Sequence, residues 1–182
     1  MKSFRNLWNY PAGRPLVSDD ITEFHAARLL LLLAFSGTKG HIDGLTKLAK
    51  LDFFVRYPSF FEVASTILGQ KTTSSMGSIE SRMIRYRYGP WDKRYYDILP
   101  YLKSKGAVSV TKDQKGAFRF KLTEKGNEIA QEMSSISEFS TLIEQMKKVK
   151  KVLGSKSGTA LKNLIYDIFD REVAQKPMDE VI

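Results

Sequence analysis

The chain contains no cysteine, which removes disulfide frameworks, thiolate zinc sites, iron–sulfur clusters and cysteine nucleophiles together. It has only two histidines, His25 and His41, without a second pair to complete a metal site, so each reads as structural or surface and neither a metal nor a cofactor is expected. Long hydrophobic runs are missing too. The longest, Leu29 to Phe35, falls far short of the ~20 residues that span a bilayer. The first residues carry no apolar segment followed by a small-residue cleavage site, so the sequence predicts a cytoplasmic protein with no membrane attachment.

What is present is a globular composition: 182 residues, 42% hydrophobic and 27% charged, with a mean hydropathy of -0.29. That is enough apolar material for one packed core. The net charge is +9, and it is segregated. Residues 81–121 hold eleven basic side chains against three acidic ones, a second basic block covers Lys147, Lys148, Lys150, Lys151 and Lys156, and the tail beyond Tyr166 turns acidic. Such a footprint points toward a polyanionic partner.

Periodicity divides the chain into an irregular N-terminal arm (1–18), a central domain (19–134) and a C-terminal helical extension (135–182). Ser18 reads as the cap of a buried helix running to Phe35. Ile42 fits a short strand, and Asp43 reads as the cap of a second helix carrying Leu45, Leu48, Leu51 and Phe54, which Pro58 stops. A helix from Ser59 to Leu68 should turn Phe60, Val63, Ala64 and Ile67 inward, before a polar loop over 69–78. From Met83 the period becomes two, with Ile84, Tyr86 and Tyr88 on one face and a solvated basic face of Arg85 and Arg87 on the other. Gly89-Pro90 should turn the chain into a helix from Asp92 to Lys105, kinked at Pro100, with Tyr95, Ile98, Leu99 and Leu102 inward.

Alternation over 107–111 and 117–122 predicts a hairpin, with Phe118 and Phe120 packed on the long helix around Leu30 and Leu31. Thr123 should cap the helix that follows. The fold class is therefore mainly α with a small β-hairpin (α+β): a winged helix with an inserted helix and a C-terminal helical extension.

The run Arg82 to Tyr101 interleaves basic and aromatic side chains, the types that grip phosphates and stack on bases. A second reading stands beside it, in which the aromatics are core and the arginines merely solvated. On the first reading Arg85, Arg87, Lys93, Arg94, Lys112, Lys115 and Arg119 contact double-stranded DNA. The contacts are mostly to the backbone, because Arg94 alone on the helix offers bidentate base reading.

The lysine block near 150 either extends that track or keeps a helix soluble. Two further stripes, Leu142, Met146, Val149 and Leu153, then Leu161, Leu164, Ile165, Ile168 and Phe169, exceed what a winged helix needs. Such a pair of helices either caps the chain's own core or docks a partner, and the second stripe is expected to bind that partner. Catalytic signals are poor: Gly69-Gln70-Lys71-Thr72 lacks the glycine a phosphate loop places before its lysine, and Asp113-Gln114-Lys115 has no carboxylate to share a cation.

Two stretches go beyond a generic pattern. Leu45-Thr-Lys-Leu-Ala-Lys-Leu-Asp-Phe-Phe-Val-Arg-Tyr-Pro58 and Arg85-Tyr-Arg-Tyr-Gly-Pro-Trp-Asp-Lys-Arg-Tyr96, followed by Leu102-Lys-Ser-Lys-Gly-Ala-Val108, resemble the middle components of bacterial ABC-three-component systems. That group includes the accessory subunit of Lamassu antiviral defence. The resemblance covers roughly residues 26 to 130. It implies a non-enzymatic winged-helix subunit bound to an SMC-like ATPase and to an effector, often a nuclease, with no catalytic residue carried over. The residues alone equally suit a winged-helix transcriptional regulator that dimerises through its C-terminal helices.

Overall fold

The Leu29 to Leu33 run lies at the centre of the molecule. In the computed structural model, which describes residues 21–70, 72–73, 82–112 and 116–182, it belongs to helix α1 (Thr22–Phe35). None of the five leucines is more than 3% exposed, as befits a helix apolar around its circumference. The expected arm over 1–18, the Ser18 cap, the first two residues expected in its helix and most of the polar loop lie outside the described residues.

After α1 the chain forms β1 (His41–Asp43) and α2 (Leu45–Arg56). Asp43 does not cap α2. Gly44 holds that position at φ 86°, while Asp43 stays in the strand directly opposite Arg119 and pairs with it. Tyr57 separates α2 from α3 (Pro58–Ile67), where proline takes the first turn, the place where its missing N–H costs nothing. The buried face of α3 is rotated from the expected one: Phe61, Ala64 and Ser65 are buried, but Val63 and Ile67 are exposed. The aromatic rings of α2 select this face, since Phe54 packs edge-on to Phe61 while Phe53 and Tyr57 hold Phe60.

Strands β2 (Ile84–Tyr86) and β3 (Gly89–Trp91) form a tight antiparallel hairpin with Arg87 and Tyr88 at its turn. Gly89 and Pro90 are thus strand residues rather than the entry to a helix, and α4 (Tyr95–Ser104) begins three residues later than Asp92. Gly89 has φ 88°, and a Cβ there would lie 3.2 Å from Tyr166 Cε1. Backbone conformation and close approach therefore both require glycine. Helix α4 turns Tyr95, Ile98, Leu99 and Leu102 inward as expected, with Pro100 on its exposed side.

Strands β4 (Val108–Lys112) and β5 (Phe118–Leu122) pair antiparallel, and β1 joins them to give a sheet of order β1-β5-β4. Val108, Phe120 and Leu122 are buried, while Arg119 and Lys121 point away from the core. The expectation for the two phenylalanines holds by half. Phe120 is buried where β5 meets α1, but Phe118 stays 42% exposed and stacks on Phe120. Thr123 caps α5 (Glu124–Ser134), accepting from the Gly126 amide at 3.0 Å.

Helices α6 (Ser140–Leu153) and α7 (Gly158–Ile168) complete the same core. Helix α6 packs on α1 and α2, and α7 packs on α2. Ser36 Oγ donates to the Met146 carbonyl at 3.1 Å, and Lys47 Nζ to the Gly154 carbonyl at 2.7 Å. Leu161, Ile165 and Phe169 are buried within the chain, and Leu164 and Ile168 are half-buried against the core. The expectation that this stripe binds a partner is therefore corrected: α2 is buried at every position from Leu48 to Arg56, and α6 and α7 supply that cover. Among the described residues no helix is long and apolar enough to cross a membrane.

Candidate nucleic-acid interface

Of the expected interface, Arg85 and Arg94 are half-buried and turned to partners within the chain. Where α1, α2 and the start of α4 meet, Arg28, Arg56 and Arg94 surround Asp52 and Asp92. Arg28 Nε donates to Asp52 Oδ1 at 3.1 Å, and the Tyr95 hydroxyl donates to Asp52 Oδ2 at 2.7 Å. Arg56 Nη1 donates to Asp92 Oδ2 at 2.9 Å, and Arg94 Nε and Nη2 grip both Asp92 oxygens at 2.8 Å. The Arg94 amide also donates to Asp92 Oδ1 at 3.0 Å, so this carboxylate fixes the turn that launches α4. His25 lies between Arg28 and Arg94, 2.8 Å from each through its two ring nitrogens. A neutral imidazole has one acceptor nitrogen, so only one of these contacts is a hydrogen bond at a time.

Electrostatics explains why the cluster holds. Burial alone would raise the Asp92 carboxyl, but hydrogen bonds from Arg94 and the charges of Arg56 and Arg94 outweigh it and bring the pKa to about 2. Burial, then the Asp52 charge, pushes the Tyr95 hydroxyl well above its ordinary range and keeps it a donor. Lys50, fully buried two residues before Asp52 on α2, gives its ammonium to the Pro90 carbonyl at 2.8 Å and lies over the Trp91 ring. Burial, with the positive charge of Lys162 adding to it, depresses the Lys50 pKa to about 7.

The seven residues expected to meet DNA do not share one surface role. Arg85 is held by the C-terminal segment: its amide donates to the Glu180 carbonyl, its carbonyl accepts from the Asp179 amide, and its guanidinium donates to Tyr86 O and lies over the Tyr166 ring. The solvated basic face expected for it is absent, because its side chain lies against Met178 and Tyr166, while backbone bonds from residues 179–182 fill the free edge of β2. Lys93 is exposed but ion-paired to Asp179 at 2.8 Å. Arg94 belongs to the buried cluster. Arg87 is exposed at the β2–β3 turn, and Lys112 is exposed with its ammonium over the Phe118 ring. Arg119 is exposed and paired with Asp43 at 2.5 Å. Lys115 lies outside the described residues.

What remains on the surface near α4 is a groove between that helix and the β4–β5 hairpin. Tyr96, Leu99, Lys103, Val110, Phe118 and Phe120 are among its lining residues. Comparison with protein-family models, with curated proteins and with solved structures finds no match to this chain. Its own geometry therefore has to carry the reading.

Sequence reasoning missed the buried cluster, though a signal was present. Asp52 and Arg56 sit at i, i+4 spacing inside Leu51-Asp52-Phe53-Phe54-Val55-Arg56, where continuous apolar neighbours leave no solvated face for a surface pair. Charged residues so placed must find partners inside.

Proposed function

We propose that this chain is a winged-helix accessory subunit without chemistry of its own, which joins an SMC-like ATPase to its effector in an antiviral defence complex and touches duplex DNA through its hairpin. The observation that carries the winged-helix part is topological. With α3, β2 and β3 taken as an insertion between α2 and α4, the elements run α1, β1, α2, α4, β4, β5, α5, with sheet order β1-β5-β4 and α4 packed beside the hairpin. In that architecture a helix and an adjacent wing approach nucleic acid together. The ATPase and effector come from the resemblance of the Leu45–Pro58 and Arg85–Val108 stretches to middle components of ABC-three-component systems.

The DNA contact set is narrower than the sequence suggested. Arg87, Lys93, Lys112 and Arg119 remain at the surface, Lys93 and Arg119 in ion pairs, joined by Lys103 and Lys121. Binding by so few cations is backbone-directed, and each phosphate contact adds about 0.9 to the log–log salt slope. Pulling a tagged copy from its native host tests the assembly: a coiled-coil ATPase should co-purify, and a stable homodimer protecting one palindrome would replace this reading with a transcriptional regulator. Fluorescence anisotropy with a duplex tests the surface. Charge reversal of Lys112 and Lys121 should weaken binding and flatten the salt slope, while an unchanged slope would remove the hairpin from the interface.

A further inference from the structure

The groove between α4 and the hairpin has a volume of about 390 Å3 and an almost wholly apolar lining. Leu99 and Phe120 are buried in its floor, whereas Tyr96 and Phe118, which edge it, are 58% and 42% exposed. An aromatic pair beside an apolar cleft is costly to leave in water and gains little from a phosphate backbone.

Among the described lining residues the one charge is positive. Lys103 lines the groove, Lys112 Nζ stands 4.8 Å above the Phe118 ring, and no carboxylate is among the lining residues. An amphipathic helix can lay apolar side chains at i, i+3 and i+4 into such a cleft. Acidic residues flanking those side chains would meet both lysines. From this complementarity we propose that the groove docks an acidic amphipathic helix of a partner protein, with Tyr96 and Phe118 as apolar anchors and Lys103 and Lys112 selecting for negative charge. The inference stands whether or not the chain also contacts DNA.

The probe is a displayed library of random peptides about four helical turns long, panned against the full chain. Enriched peptides should carry apolar residues at helical spacing and an excess of Asp and Glu. A synthetic copy of the best one should bind at least about tenfold more weakly to the Tyr96→Ser, Phe118→Ser double variant. That variant should keep the parent thermal transition, because both side chains are already exposed. The decisive arm is Lys103→Glu with Lys112→Glu, a purely surface change, which should turn the selected peptides from acidic to basic. The proposal is overturned by no enrichment, by peptides without acidic excess, or by a charge preference that the glutamates leave unmoved. It is equally overturned if the chain self-associates through Tyr96 and Phe118 so that a second copy fills the groove.

Discussion

The cluster around Asp52 and Asp92 and the outer face of the hairpin use the same residue types for opposite ends. In the cluster, Arg28 and Arg56 are 2% and 1% exposed and meet carboxylates that are equally hidden. On the hairpin, Arg119 and Asp43 form a close pair with about half of each side chain in solvent. Removing an ion from water costs several kcal/mol unless its partners are complete, whereas an exposed pair contributes about 0–1 kcal/mol. Charge segregated along a sequence is therefore not charge displayed on a surface. The Arg82 to Tyr101 run looked like one interface, yet Arg85 and Arg94 hold the fold and Arg87 faces solvent.

The largest expected effect follows from breaking the cluster on one side. Asp52→Ala leaves Arg28 and Arg56 short of a carboxylate and the Tyr95 hydroxyl without its acceptor, and should cost about 3–5 kcal/mol. In urea unfolding the midpoint should fall with little change in slope. A loss below about 1 kcal/mol would mean that water reaches the cluster and that it resembles the hairpin face after all.

Next comes the contrast between buried and exposed apolar residues. Ile165→Ala removes methyl groups from a fully buried site on α7 and should cost about 2–5 kcal/mol. Ile67→Ala acts on a residue 60% exposed on α3 and should stay within about 0.5 kcal/mol. If thermal unfolding shows the two alike, α7 is not part of the core and its stripe returns as a docking surface.

Much of this architecture was legible in the sequence, for reasons that also explain the failures. Hydroxyl capping at Thr123, the inward stripe of α4 and the alternation of β5 depend on local spacing, and the structure has them. Strand β2 is legible in its alternation, but β3 is not, because Gly89-Pro90 reads as a turn; nor does anything local show that residues 179–182 pair along the other edge of β2. The stripe on α7 was legible as apolar but not as already covered, since its cover, α2, is more than a hundred residues away. The groove escaped for a similar reason: Tyr96 and Phe118 come to line one cleft only after α4 and the hairpin pack together.

Lys50 sharpens the comparison through pH. Its folded pKa of about 7 lies below the ordinary lysine value of 10.5, so above pH 7 the unfolded chain holds a proton that the folded chain has lost. Stability from this group therefore rises as pH climbs from about 7 toward 10.5, and the full penalty applies below 7. Between pH 7 and 9 the gain should be roughly 2 kcal/mol. Lys50→Met should abolish that rise, as measured by urea midpoints across the range. An equal rise in the variant would assign it to other groups.

The smallest expected effect belongs to Asp43. The hydrogen bond from Arg119, aided by the charges of Arg119 and His41, holds its carboxyl below the ordinary value. The pair therefore stabilises the fold above the usual carboxylate range and loses that contribution as pH falls through the lowered pKa. With half of each side chain in solvent the contribution is about 0–1 kcal/mol, so Asp43→Asn should leave the urea midpoint nearly where it was. Its effect on DNA binding should be the clearer one, because the change takes a negative charge off the hairpin face beside Arg119. Affinity for a duplex should rise at low salt, and the log–log salt slope should steepen by less than about one unit. A stability loss of several kcal/mol with no change in salt slope would place Asp43 and Arg119 with the buried cluster as fold-holding charges and take the hairpin out of the DNA surface.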